Sequence, residues 1–460
     1  MVVQRIEAFI EDVIKSHGLV GLGVGVVQSD QIVVERGFGF RNLKTKKPVT
    51  SKSLFHLASI SKPFVATAIM QLVEQGDISL SDSPKEYLPY LNINNPFERM
   101  LTIQQMLSHT AGFTDVTDYQ WDKPAYDDEA LERYVRSLEI NPLFIPGEKF
   151  SYSNIAYEVL GDLISKVSGL SFEDYVTNKI LQPLQMQQST HFAKAVSPDM
   201  TVSPHINDLS TMVSPLYPYH RAHSPSSTLH SNIEEMNIWA VNALNKRSLI
   251  LQPVSWDLMW NPLVSTGHSD RPDKRCAHGW FLDIYKDFNL LFHSGGDVGF
   301  STYFLMIQAH SIGITVLSNT APAPVEAIAF GILDLLMEGE TERVNPHVMG
   351  MLGQLLMDEG LESMKMKYHQ LREDQAQEFD FGIKNYLDVA NSLLDRGENI
   401  SAETLLGFVM GLFPDNAKVY ETLARSKFQM GKIPEALNCG QRSLELEPEN
   451  PFLRQIIQSF

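Results

Sequence analysis

The sequence predicts an α+β domain over residues 1–342, followed by an all-helical domain over 343–460. The first is read as an antiparallel sheet flanked by helices, with a helical insert at about residues 80–250. Three observations predict this. β-rich runs stand at both ends of the first part and are rare between them. The connections within each run are short enough for hairpins, which join antiparallel strands. Beyond residue 345 the strands stop and a 34-residue repeat begins.

The chain opens with Ile6, Phe9, Ile10, Val13 and Ile14 at helical spacing with charges between them, an amphipathic surface helix. It lacks the apolar region and small-residue cleavage site of a signal peptide. No stretch is long and apolar enough to span a membrane. The default expectation is a cytoplasmic protein, or a secreted or periplasmic one if the numbering starts at a mature terminus. Within residues 18–40, two β-rich runs flank Ser29-Asp30-Gln31, which reads as a hairpin turn. A helix follows from near Ser59, with Gly76 as its C-cap. Strand character returns at 279–285, 289–296, 301–308 and 312–319, and an apolar helix at 325–339 closes the domain.

In the C-terminal part, Tyr386, Ala390, Gly397, Ala402 and Pro414 recur 34 residues later as Tyr420, Ala424, Gly431, Ala436 and Pro448. Aromatic, small, turn-glycine, small and proline positions in that order are the tetratricopeptide pattern. The small residues let two helices approach, and the proline ends the second. A less regular unit at 355–374 precedes these two.

Hydrophobic residues make up 43% of the 460 and aromatics 10%, as in globular chains. A net charge of −18 without a Lys/Arg run argues against a nucleic-acid partner. Cys276 and Cys439 are far apart and form no disulfide framework. His205, His220, His223 and His230, with Arg221, make a histidine-rich stretch. No cysteines or carboxylates complete a ligand set nearby, so the stretch is read as polar side chains facing solvent, or as lining a substrate entrance, and no metal is expected.

FHLASISKPF, residues 55–64, sets Ser59 and Lys62 three apart, on one face of a helical turn. The ordinary reading is a capped helix with a surface lysine. The chemical reading is a nucleophile beside a base, because burial among Phe55, Leu57, Phe64 and Val65 would drive the lysine toward neutrality. Two further stretches favour chemistry. Tyr152-Ser153-Asn154 offers a phenol that can relay a proton and an amide that can hold a carbonyl. His293-Ser294-Gly295-Gly296 ends a strand in glycines, where a substrate can approach backbone N–H groups. Taken singly, Tyr152 is an ordinary loop tyrosine and His293 a solvent-facing strand histidine.

In order and setting these motifs resemble the serine β-lactamase and penicillin-binding-protein superfamily, in its class C, DD-peptidase and family VIII esterase branch. LTIQQMLSHTAGF (101–113), FIPGEKFSYSN and HSGGDVGFST resemble its supporting segments. The resemblance spans roughly residues 1–340 and implies a β-lactamase/transpeptidase-like fold. It implies Ser59 as nucleophile, Lys62 and Tyr152 as its proton partners, and Asn154, His293, Gly295 and Gly296 as substrate-binding or oxyanion residues, the oxyanion held by the N–H groups of Ser59 and Gly296. No cofactor is implied. Three departures stand out. His293 replaces a lysine that many penicillin-recognising members carry, which weakens the case for an anionic β-lactam. Gln185 stands where glycine is frequent. PSSTLHSN (225–232) replaces a glycine-rich segment near the site.

The function expected is a serine hydrolase that cleaves an ester or amide through an acyl-enzyme on Ser59. It could serve as an esterase, as a D-amino-acid peptidase or, weakly, as a β-lactamase. An acyltransferase or cyclase would use the same intermediate. A non-catalytic scaffold would use only the repeats. The expected partners are a small-molecule or peptide acyl substrate and, through the repeats, a protein or a second copy of the chain, with no nucleic acid and no membrane.

Overall fold

The computed structural model describes residues 2–94, 97–207, 211–268 and 271–448. The chain forms two compact units, one of Met1–Ile14, Leu19–His205 and Val213–Glu342, the other of Lys15–Gly18, Ile206–Met212 and Arg343–Phe460.

The first unit is built on an eight-stranded sheet in which neighbouring strands are antiparallel. Its strands are β1 (Gly21–Gln28), β2 (Gln31–Gly39), β3 (Val264–Ser265), β4 (Arg275–Cys276), β5 (Phe281–Tyr285), β6 (Phe288–Asp297), β7 (Phe300–Ile307) and β8 (Ile312–Ser318). The order is β2-β1-β8-β7-β6-β5-β4-β3, so the two ends of the unit meet where β1 pairs with β8. The β1–β2 turn falls at Ser29-Asp30, both at positive φ (48° and 65°).

β7 and β8 are buried along their whole length, so both faces of the sheet are covered. The cross-strand row Gly23, Leu317, Thr302 and Gly295 lies on one face, because paired residues share a face. Helix α5 (Ile233–Leu244) packs against this face: a Cβ on Gly23 would stand 2.8 Å from Ile233 Cγ1. On the other face, Tyr303 donates to Glu326 of α6 (Val325–Met337) at 3.0 Å.

Helix α1 (Val2–His17) buries Ile6, Ile10 and Val13. On the α5 side, α2 (Ser61–Gln75) and α3 (Asn154–Ser168) join the main core, and the short α4 (Ser224–Ser227) packs against α3. α2 is buried from Ser61 to Leu72, as a helix enclosed on all sides must be, and Gly76 closes it in the left-handed conformation (φ 76°). Phe64 of α2 stacks on Trp239 of α5 at 4.1 Å. Among the described residues, no helix is long and apolar enough to cross a membrane.

The second unit holds α7 (Met349–Glu359), α8 (Leu361–Asp374), α9 (Ile383–Asp395), α10 (Asn399–Leu412), α11 (Ala417–Gln429) and α12 (Ile433–Leu446). α11 and α12 begin 34 residues after α9 and α10 respectively. Gly397 and Gly431 turn the two hairpins at φ 76° and 71°. Ala390, Ala402, Ala424 and Ala436 are buried at the helix contacts. The stretch 355–374 straddles two helices, α7 and α8, with the turn at Gly360; its hairpin begins at Met349, earlier than the sequence indicates.

Candidate active site

Ser59 does not lie in the first turn of α2. It occupies a single 3-10 turn, Ala58–Ile60, just ahead of it, and no side chain caps α2. From Ser53 to Leu72, Ser59 alone is not fully buried. The turn is pinned on three sides. Leu57 N donates to Leu229 O at 2.8 Å, Thr302 Oγ1 donates to Leu57 O at 2.8 Å, and Ser61 Oγ bridges Ala58 O (2.8 Å) and Leu229 N (3.0 Å). These contacts hold Ala58 at φ 50°, a left-handed conformation that strains a residue with a Cβ by about 1 kcal/mol. Gly295 permits the approach of β6: a Cβ there would lie 2.4 Å from Leu57 O and 2.3 Å from Thr302 Oγ1.

The structure brings Ser59, Lys62, Tyr152 and Asn154 together. Lys62 Nζ lies 3.0 Å from Ser59 Oγ, 2.6 Å from Asn154 Oδ1 and 3.0 Å from Ser226 O. Tyr152 OH donates to Ser59 Oγ at 2.9 Å. Asn154 cannot turn its oxygen away from the lysine, because its Nδ2 donates to Tyr119 OH (2.7 Å) and Asp115 Oδ2 (3.2 Å) and its N–H to Asp115 Oδ1 (2.8 Å). Tyr152 is backed by His109, whose ring stacks on it at 4.2 Å and whose Nδ1 receives the N–H of Ser153 at 3.1 Å.

Burial is the largest influence on the protonation of this group. It lowers the Lys62 pKa to about 7 against the opposing pull of Glu158, Asp115 and Asp297. It pushes the Tyr152 phenol far up, so that it stays protonated at neutral pH. It lowers His293 to about 3, with the Lys62 charge adding to the effect. His293 is therefore buried and neutral, not solvent-facing. Its Nδ1 lies 2.7 Å from Ser294 O, and a carbonyl can only accept, so Nδ1 carries the proton and Nε2 is a bare acceptor. Gly296 is open on its Cβ side. The β5 register ends at Phe281–Phe292, so β5 offers no partner to β6 from His293 onward.

Most of the histidine-rich stretch is interior: Arg221, His205, His223 and His230 are buried and lie neither on the surface nor along an entrance. Arg221 is buried and pairs with Glu173 at 2.9 Å. His223 faces Glu158 at 3.1 Å, His230 lies 2.8 Å from Tyr217 OH, and His205 receives the Leu43 N–H at 3.0 Å. Three of the four histidines thus serve three separate hydrogen-bond networks, and the fourth, half-buried His220, accepts the Ala222 N–H at 3.2 Å. Gln185 has φ 62°, the backbone state that glycine takes freely, which accounts for the glycine frequent there.

Sequence reasoning missed Asp115, Tyr119, Glu158, Ser226 and Asp297. Asp115 and Tyr119 follow the HTAGF segment in a loop whose path no periodicity sets. Glu158 was detectable as a charge on the apolar face of α3, one turn after Asn154.

The family model described as Beta-lactamase matches residues 6–336, well over half of the sequence. The chain belongs to the beta-lactamase family. Protein flp of Staphylococcus aureus (strain MW2) is 27% identical over 323 residues, which is 69% of this chain and 63% of that protein. The chain thus spans less than two thirds of that curated relative. Penicillin-binding protein 4* of Bacillus subtilis (strain 168) is 30% identical over 177 residues, 37% of this chain and 38% of that one. Among solved structures, the octameric penicillin-binding protein homologue from Pyrococcus abyssi aligns with a TM-score of 0.68 at 27% identity, over 74% of this chain and 78% of that one. EstCE1, described as a hydrolase with promiscuous acyltransferase activity, aligns with a TM-score of 0.62 at 20% identity, over 72% of this chain and 98% of that one, a likeness of fold. The family is one of β-lactamase and penicillin-binding-protein type serine hydrolases, and the fold is its mixed α/β fold with a large antiparallel sheet.

Proposed function

We propose that the chain is a serine hydrolase that cleaves esters or amides through an acyl-enzyme on Ser59, with Lys62 as the base. The carrying observation is the set of three neighbours around Lys62 Nζ. Asn154 Oδ1 and Ser226 O accept hydrogen bonds and cannot donate here. A neutral amine has two N–H bonds and one lone pair. The two acceptors take both N–H bonds, and the lone pair is left for the Ser59 hydroxyl. With its pKa near 7, Lys62 is partly in this form at neutral pH.

Attack then runs as follows. Ser59 Oγ forms the bond to the acyl carbon and its proton passes to Lys62. The backbone N–H groups of Ser59 and Gly296 hold the oxyanion. Tyr152, which donates to Ser59 Oγ in the resting site, gives its proton to the leaving group and is reprotonated at the expense of Lys62. Water then releases the acyl group, and Ser59 regains its proton.

Neutral His293 supports an acyl donor without a carboxylate, since an uncharged ring stands where a lysine would otherwise attract one. The substrate class we favour is uncharged esters. The helical unit is proposed as a tetratricopeptide-like array that offers a protein-binding or self-association surface, a role supported by the matched 34-residue spacing of its hairpins.

The test is intact-protein mass after incubation with a fluorophosphonate, beside turnover of p-nitrophenyl butyrate and nitrocefin. A single adduct that Ser59→Ala lacks, with ester turnover exceeding that of nitrocefin, is expected. No adduct on an ordered protein contradicts the acyl-enzyme. Faster turnover of nitrocefin contradicts the substrate class.

A further inference from the structure

Glu158 is fully buried on α3, one turn after Asn154, and is used by no step above. Its Oε1 receives Ser226 Oγ at 2.7 Å and faces His223 Nδ1 at 3.1 Å. Its Oε2 is buried and has no hydrogen-bond partner. Ser226 is the residue whose carbonyl oxygen accepts from Lys62 Nζ at 3.0 Å. One serine thus ties a buried carboxylate to the amine beside Ser59. α3 and α4 are in close contact here: a Cβ on Gly161 would lie 2.1 Å from Pro225 Cγ. The Ser-Pro-Ser-Ser run that takes the place of a glycine-rich segment is what reaches Glu158.

We propose that Glu158 is a positioning residue for the Lys62 amine: it anchors Ser226, whose carbonyl oxygen receives Lys62 Nζ, and sets a buried negative charge beside that amine. The inference rests on the acyl-enzyme reading above. In its ionised form Glu158 acts on Lys62 through a dry interior that screens little, and the bonds to His223 and Ser226 are what hold that form against burial. Glu158 is also the largest of the influences that oppose the burial-driven fall of the Lys62 pKa. Burial raises the pKa of Glu158 itself, while His223, Ser226 and Lys62 favour its charged form. The other groups facing Lys62 are Asp115 and Tyr119 from the loop after His109, His109 itself, Tyr152 and Tyr157 around the start of α3, and His293 and Asp297 from β6. Asp115 is bonded to Asn154 and Asp297 to His56, so Glu158 alone among the three carboxylates has an oxygen that is both buried and unpartnered.

The experiment is the pH dependence of kcat/KM for p-nitrophenyl butyrate in wild type, Glu158→Gln, Glu158→Asp and Ser226→Ala. Removing the charge lets Lys62 lose its proton more easily, so the acid limb of Glu158→Gln should move down by about one pH unit. Glu158→Asp keeps the charge and should keep the limb. A merely structural role would disturb both variants alike. Ser226→Ala should lower kcat roughly tenfold with the limb in place, because only the anchor is lost; it decides the anchoring arm if Glu158→Gln does not fold. An unmoved limb in Glu158→Gln, equal shifts in both Glu158 variants, or a Ser226→Ala protein with unchanged kcat overturns the inference. A wild-type Ser59 that takes no acyl group overturns the parent reading, and this one with it. An active wild type with unresponsive variants overturns this one alone.

Discussion

The surroundings of Ser59 and the core of the helical unit obey opposite rules. In the helical unit, Leu352, Tyr386, Leu405, Leu406 and Val409 fill the interior, and a cation such as Lys432 lies outside, paired with Glu403. Around Ser59 a lysine, a glutamate and two histidines are buried, and a non-glycine residue holds a left-handed backbone. The first arrangement maximises stability. The second gives up stability to place a neutral amine beside a hydroxyl. What marks the site is the coincidence of a strained alanine with buried ionisable groups that face one hydroxyl, whereas periodicity marks the scaffold.

The sharpest way to break this contrast is to remove the hydroxyl. Ser59→Ala should lower ester turnover by roughly a thousandfold or more while the protein stays folded, checked by kcat/KM and circular dichroism. Next comes Lys62→Met, which should reduce turnover by about 10²–10⁴-fold. The same change should raise stability by about 2 kcal/mol at pH 6, measured by urea unfolding, since an apolar side chain replaces a buried amine. The sign follows from linkage. Lys62 releases its proton near pH 7 when folded but only near 10.4 when unfolded, so its penalty is full below pH 7 and fades as pH rises between those values. The stability gain of Lys62→Met should shrink accordingly by pH 9.

On the scaffold side, Leu405→Ala should destabilise the helical unit by about 3 kcal/mol through the cavity it leaves, seen in its hydrogen-exchange protection, and gain nothing in return. The smallest effect concerns the strained turn. Ala58→Gly should raise the melting temperature by a few degrees, because glycine takes φ 50° freely, the equivalent of about 1 kcal/mol. A lower melting temperature would show that the turn is not strained.

The four main strands of β5–β8 and the β1–β2 hairpin were legible because alternation and turn chemistry are local signals. So were the two 34-residue hairpins, whose glycines and alanines recur in phase. The motif residues Ser59, Lys62, Tyr152 and Asn154 were legible by type and order. The rest depended on distance. Asp115 orients Asn154 across 39 positions, and Ser226 reaches Lys62 across 164, contacts that no window of sequence carries. The 3-10 turn at Ser59 was invisible because tertiary bonds to Leu229 and Thr302, not local propensity, impose it. The buried histidines were misread because polarity alone does not tell a surface network from an interior one.

The central claim, a neutral Lys62 amine acting on Ser59, is tested most directly by the rate of Ser59 phosphonylation against pH. Labelling should rise about tenfold per unit below an apparent pKa near 7 and then level off. A rate that stays flat from pH 5 to 8, or that begins to rise only above pH 9, would contradict it.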